Sequence, residues 1–340
     1  MAFDKAMKIG VVGCGALGSY YGAKLCQIGE DVHFLLRADY EVVRRNGVRV
    51  LSLCGDFTAR PGCARRPEDI GICDLIIIGL KTTANDQFGP LVTPLVGANT
   101  MILTLQNGLG SEERLAALFG GEKVFGGLCF VCLNRLGPGV IAHLAHGRIM
   151  MGDFGRPAGP RVHAIAAMIR RTGTPCDVAE NLLAAHWEKL IWNIPFNGLG
   201  VASSLGLDRF LHGPLDGARP SGACWTTNRL LDDPGWHKVV VELMAELIAA
   251  ARACGIDLAE DTIERQISRT REMGAYRAST LVDFEHGLPL ELEALFLEPL
   301  RRARTARASV PLLERLCAVL TRLDPAVAEG RRGGEVLPAS

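Results

Sequence analysis

The sequence predicts an α/β chain, a doubly wound and mostly parallel sheet followed by an all-helical C-terminal domain. Three observations carry that expectation. Apolar runs of strand length alternate with helix-patterned stretches through the first half. A glycine-rich turn joins the first run to the first helix, and beyond Glu180 nearly every segment has helical patterning. At 340 residues the chain exceeds the size at which one hydrophobic core stops growing, so two domains are expected. The boundaries implied are 1–179 for the sheet domain, 180–329 for the helical domain and 330–340 for a disordered tail.

Taken in order, residues 7–12 read as a strand, 17–28 as a helix closed by Gly29, and 32–36 as a second strand. This unit has the size of a βαβ crossover. The runs 74–80 and 101–105 are continuous and apolar, as in parallel strands buried on both faces. Runs at 124–133, 139–144 and 147–152, separated by Gly-Pro-Gly and His-Gly, predict antiparallel strands on the edge of the sheet. A helix at 160–172 and a strand at 175–179 complete the domain. Helices are expected at 181–194, 235–254, 259–272 and 291–306, with a loop at 213–222.

Composition narrows the function classes. Lys+Arg and Asp+Glu both number 37, so no charge excess points to nucleic acid or to an anionic membrane surface. No apolar run approaches the roughly 20 residues of a membrane span, and residues 1–7 lack the flanks of a signal peptide. The 11 cysteines are scattered and odd in number, which fits reduced thiols in a cytoplasmic protein better than a disulfide framework. Cys129 and Cys132 have redox-motif spacing but lie in a strand-like run, with no second pair to complete a metal site. Small-molecule chemistry is the expected occupation.

Gly13-Cys14-Gly15-Ala16-Leu17-Gly18 satisfies G-x-G-x-x-G directly after a strand and at the start of a helix, the context that makes the motif a Rossmann-type dinucleotide fingerprint. Gly13 allows the tight turn, Gly15 the close approach of a pyrophosphate, and Gly18 close helix–strand packing. The diphosphate is expected on the free N–H groups at the helix start. The second strand ends in Leu35-Leu36-Arg37, not in the acidic residue that would bind a ribose 2′-hydroxyl, so Arg37 points to a 2′-phosphate and to NADP(H). A solvated surface charge is the plainer reading of Arg37, and Arg44 and Arg45 read as an exposed helix face. Lys81 and Asn107 follow the next two strands at the same sheet edge, although Asn107-Gly108 is also a common turn dipeptide.

In the helical half Lys189, Asn193 and Asn197 recur every four residues, drifting only ~40° per step, and so share one helix face among apolar neighbours. Pro195 removes a backbone donor and should kink this helix. The residues alone leave two options open, a solvated face or a face turned into a site.

The chain resembles the ketopantoate reductases (2-dehydropantoate 2-reductases) across nearly its whole length. The resemblance rests on the glycine block, Leu35-Leu36-Arg37, Leu80-Lys81-Thr82, Gln106-Asn107-Gly108, the stretch from Trp187 to Asn197, and the stretch from Ser279 to Glu291. It implies NADPH-dependent reduction of a 2-oxo acid to a 2-hydroxy acid, first of all ketopantoate to pantoate. It further implies Lys189 as general acid and Glu291 as its active-site partner. Asn107, Asn193, Asn197 and Ser279 would contact substrate or orient the nicotinamide, and Arg37 and Lys81 would hold the cofactor. Tyr276, Leu290, Glu293 and Phe296 depart from the family pattern, removing small polar groups and adding bulk. The expected substrates therefore include bulkier 2-oxo acids. A non-catalytic NADP(H)-binding sensor on the same fold is the alternative of a different class. Oligomeric state is left open, a homodimer among the options.

Overall fold

A computed structural model describes residues 5–328; the tail expected at 330–340 lies outside them. The chain divides into two compact units, Met1–Ala185 and His186–Ser340, with the division falling inside one long helix. In the first unit the elements run β1 (Lys8–Val12), α1 (Ala16–Gln27), β2 (Asp31–Leu35), α2 (Tyr40–Asn46), β3 (Val48–Ser52), β4 (Phe57–Ala59) and β5 (Gly62–Ala64). They continue with β6 (Leu75–Ile78), α3 (Phe88–Val92), β7 (Met101–Thr104), α4 (Ser111–Phe119), β8 (Val124–Gly137), β9 (Val140–Asp153), α5 (Pro160–Arg171) and β10 (Cys176–Val178).

The apolar strand runs are explained by burial on both faces. Side chains alternate across a strand, so Ile9, Val11, Leu75, Ile77, Met101 and Leu103 enter one core layer. Val12, Ile76, Ile78 and Ile102 enter the layer on the opposite face. The sheet order is β4-β3-β9-β8-β7-β6-β1-β2-β5, with β10 paired to β9. The chain leaves β1 for β2 on one side and later returns to β6 on the other, with all three strands parallel. The loop after β1 therefore stands at the topological switch point, where open α/β sheets bind ligands.

Two expectations needed revision. The antiparallel pair β8–β9 is not at the sheet edge, because β9 is flanked further out by parallel β3 and β10. The runs 139–144 and 147–152 are one strand with a register shift: Phe130 faces Arg148 and Val131 faces His146, leaving Gly147 as the extra residue. The short elements α2 to β5, which no long periodic run announces, build the two outer parts of the sheet.

The second unit is helical. The dividing helix α6 (Leu182–Ala202) is followed by α7 (Leu207–His212), α8 (Thr227–Asp232), α9 (Pro234–Ala253), α10 (Thr262–Glu272), α11 (Ser279–Glu285), α12 (Glu298–Thr305), α13 (Pro311–Leu323) and α14 (Pro325–Ala328). The start of α9 is set by Pro234 in its first turn and by Asp233, whose carboxylate accepts the Trp236 N–H at 2.9 Å. The helix expected at 291–306 is present from Leu292 to Thr305, but it is not regular: a π turn at Glu293–Leu297 follows Glu291 and leads directly into α12 at Glu298. Pro299 has no N–H to offer the carbonyl four residues earlier, which accounts for the irregular turn before it. Helix α6 runs on through Pro195 to Ala202, longer than the expected 181–194.

Candidate active site

Four neighbouring parallel strands, β7-β6-β1-β2, bring the sequence-predicted cofactor residues to one carboxyl edge. The glycine loop follows β1, Arg37 follows β2, Lys81 follows β6 and Asn107 follows β7. Each glycine of the motif has a separate physical reason. Gly13 has φ +97°, and a Cβ there would lie 2.2 Å from the Leu80 nitrogen. A Cβ on Gly18 would lie 2.3 Å from the Gly13 carbonyl oxygen, so helix and loop touch only because Gly18 lacks a side chain. Gly15 is different, since a Cβ there would meet nothing within 4 Å. No packing within the protein demands a glycine at that position, which leaves the backbone there open.

The start of α1 is suited to an anion. Gly15 provides no side-chain cap, and the first turn holds no acidic residue to compete for its unbonded N–H groups. Ser19 Oγ donates to the Cys14 carbonyl (3.0 Å), stiffening the loop. The Cys14 thiol turns inward to the Val11 carbonyl (3.4 Å), and burial pushes its pKa well above the ordinary thiol value. Cys14, Ala16 and Leu17 thus offer backbone, not side-chain chemistry. Arg37 is exposed, and among the described residues no ion pair neutralises it. By contrast Arg44 pairs with Glu41 (3.7 Å) on the exposed face of α2. Arg65, which the sequence reading passed over, pairs with Glu41 (3.0 Å) and stacks 4.3 Å from the Tyr40 ring centroid.

Lys81 is exposed at the head of a 3₁₀ helix, Thr82–Gln87, and Asn107 is half-buried ahead of the turn formed by Gly108 and Gly110. A buried amide network lies between their loops. Gln106 Nε2 donates to the Leu80 carbonyl (3.0 Å) and to Asn85 Oδ1 (2.7 Å). Gln106 was visible as part of Gln-Asn-Gly, but nothing in the sequence paired it with Asn85, 21 residues away.

In the helical unit, the solvated reading of the polar stripe fails for its second half. Lys189 is half-buried, but Asn193 is only 6% exposed and Asn197 2%. An unpaired buried amide would cost on the order of 1–3 kcal/mol, and Asn197 is paired. Its Oδ1 accepts the Thr280 N–H (2.9 Å) and the Ser279 hydroxyl (3.2 Å). This caps the start of α11, where Ala278 has no cap of its own. Since Oδ1 is committed to donors, the amide must present Nδ2 as its other face. Two residues named separately from the sequence are thus in direct contact, and Glu291 is half-buried in the stretch before the π turn.

The departures from the family pattern separate into kinds. Leu290 and Phe296 are wholly buried, and Phe296 packs so closely on α6 that a Cβ at Gly198 would lie 2.9 Å from its ring. Glu293 is exposed and ion-paired with Arg301 at 2.5 Å. Tyr276 also stands beside the stripe helix, its ring 6.0 Å from that of Trp192. Trp192 is held by its Nε1–H donating to Thr270 (2.8 Å) and by Phe196, 5.2 Å away ring to ring.

Family models match both halves of the chain. The model described as "Ketopantoate reductase PanE/ApbA" matches residues 9–156, and its C-terminal counterpart matches residues 223–324. The chain belongs to the ketopantoate reductase family. It is 36% identical to a 2-dehydropantoate 2-reductase of Nostoc sp. over 93% of this chain and 95% of that one. Among solved structures it is similar to the 2-dehydropantoate 2-reductase of Geobacter metallireducens, 42% identical with a TM-score of 0.83 over 93% and 99% of the two chains. The corresponding enzyme of Methylococcus capsulatus gives 32% identity and a TM-score of 0.83 over 97% and 99%. Membership makes this chain an oxidoreductase. Among the described residues, no helix is long and apolar enough to cross a membrane, and no group of three or more acidic, His or Cys side chains has the arrangement of a metal site.

Proposed function

We propose that this reductase converts ketopantoate to pantoate with NADPH. The observation that carries the proposal is the polar stripe of α6, a half-buried lysine and two buried amides that an ordinary helix would not keep in apolar surroundings. The bare backbone at Gly15 and the uncapped start of α1 fit a dinucleotide pyrophosphate. In this reading Gly13 to Gly18, Lys81 and Asn107 hold the cofactor, and Arg37 binds its 2′-phosphate as a planar fork. The reduced nicotinamide supplies a hydride to the ketone carbon.

Lys189 donates a proton to the ketone oxygen as that carbon is reduced, so ketone, hydride and proton sum to the hydroxy acid. An ammonium group is charged at neutral pH, and before donating it polarises the carbonyl. Glu291 holds the lysine or a substrate hydroxyl. Asn193, Asn197 and Ser279 orient the substrate through hydrogen bonds, with Asn197 Nδ2 available because Oδ1 is occupied.

Tyr276 supports a second reading, in which the same chemistry acts on a bulkier 2-oxo acid that packs against an aromatic ring. NADPH oxidation by the purified protein, with ketopantoate beside a panel of larger 2-oxo acids, decides between them. Preferred turnover of ketopantoate is the expected result. Preference for a larger acid would select the second reading. Tight NADPH binding without turnover of any acid would overturn both and leave a cofactor sensor.

A further inference from the structure

The buried network around Gln106 closes a frame around two of the proposed cofactor-edge residues. Four positions make the corners. Leu80 and Asn85 belong to the loop after β6, and Gln106 and Ser111 to the loop after β7. The Gln106 amide donates both its hydrogens across the gap, to the Leu80 carbonyl (3.0 Å) and to Asn85 Oδ1 (2.7 Å). Asn85 Nδ2 returns the connection by donating to Ser111 Oγ (3.1 Å). Lys81 lies between the first pair of corners in sequence, and Asn107 between the second.

The amide orientations are fixed by chemistry. A main-chain carbonyl only accepts, so the Gln106 atom facing Leu80 must be nitrogen. Its Oε1 then accepts the Thr104 hydroxyl (3.0 Å), which anchors the frame to the end of β7. Asn85 must turn Oδ1 to Gln106 and Nδ2 to Ser111, and no alternative flip satisfies both contacts. Gln106, Asn85, Ser111 and Thr104 are all buried, at 6%, 8%, 3% and 0% exposure. Buried networks whose members are all satisfied are rigid and specify one geometry.

Nothing about the fold alone requires this amide chemistry. Strands β6 and β7 are already joined by their own ladder, from Leu75–Met101 to Ile78–Thr104. The frame begins where that ladder ends and governs only the loops beyond it. We propose that Gln106, working through Asn85, is a positioning residue of the reaction. It fixes the separation of the Lys81 and Asn107 loops, so that cofactor binding costs little loop ordering. This inference rests on the proposed cofactor role of Lys81 and Asn107.

A double-mutant cycle tests it. NADPH dissociation constants and kcat are measured for the wild type, Gln106→Leu, Asn107→Ala and the double variant, with Lys81→Ala as a further control. Gln106→Leu removes every side-chain hydrogen bond at that position. It is expected to weaken NADPH binding or lower kcat by about tenfold, the size of one or two buried hydrogen bonds. In the Asn107→Ala background the same change is expected to add less than about twofold, because a residue acting through Asn107 has little left to act on. Gln106→Met keeps the length of the side chain, loses both donors and adds no buried charge. It should fold, and should reproduce the kinetic loss if Leu is tolerated poorly. Fully multiplicative effects, or unchanged kinetics in both Gln106 variants, would overturn the inference while leaving the cofactor assignment standing. Lys81→Ala and Asn107→Ala without effect would instead remove the cofactor assignment, and the frame's role with it.

Discussion

The glycine loop of the sheet unit and the polar stripe of the helical unit are built from different materials. The loop works through backbone. Its requirements are a positive φ at Gly13, a missing Cβ at Gly18 and open space at Gly15, all within six consecutive residues. The stripe works through side chains whose partners come from distant segments, as when Asn197 accepts from Ser279 and Thr280. Backbone-built sites are local and leave a spacing motif. Side-chain-built sites are assembled by tertiary packing, and their members look ordinary until brought together.

The sharpest way to break this comparison is to remove one side chain from the second region and look for damage in the first. Lys189→Ala is expected to lower kcat by roughly 10²- to 10⁴-fold, the usual contribution of a general acid. NADPH affinity, read by fluorescence titration, should stay within about twofold. Equal loss of both would mean that the two regions do not divide the work as proposed.

Arg37→Ala probes a side chain that the proposal sets beside the first region. It should weaken NADPH binding by about 10- to 100-fold, as loss of charge-assisted hydrogen bonds to a phosphate does, and leave NADH nearly unaffected. Parallel loss for both cofactors would count against recognition of the 2′-phosphate.

This pattern explains what was legible in the sequence. The strand–loop–helix unit and its glycine roles were readable because they are local. The short elements between α2 and β5 were not, since strands of three to five residues carry too little periodicity to stand out. The helix expected from 291 was readable, but the π turn that precedes Pro299 within it was not. Of the polar stripe only the shared helix face was readable. Its burial, and the contact between Asn197 and Ser279, needed tertiary structure. Phe296 and Leu290 read as added bulk, and both are wholly buried.

Tyr276 sharpens the comparison on the substrate side. Tyr276→Asn should raise kcat/KM for ketopantoate over a bulkier 2-oxo acid by about tenfold, within the range that pocket shape supplies. No change in the ratio would place Tyr276 outside the substrate's surroundings. The smallest effect is expected at Asn197. Asn197→Ala removes the cap of α11 and should cost about 0.5–2 kcal/mol of stability in urea denaturation. A stability change near zero would show that the contact with Thr280 does not serve as a helix cap.

The central claim is that the cofactor side delivers hydride to carbon and the helical side delivers a proton to oxygen. NADPH deuterated at both positions of nicotinamide C4, turned over with ketopantoate and followed by mass spectrometry and NMR of the product, tests it directly. The account predicts deuterium on C2 of the hydroxy acid, with the hydroxyl hydrogen drawn from solvent. A product without carbon-bound deuterium, or label released to water, would contradict it.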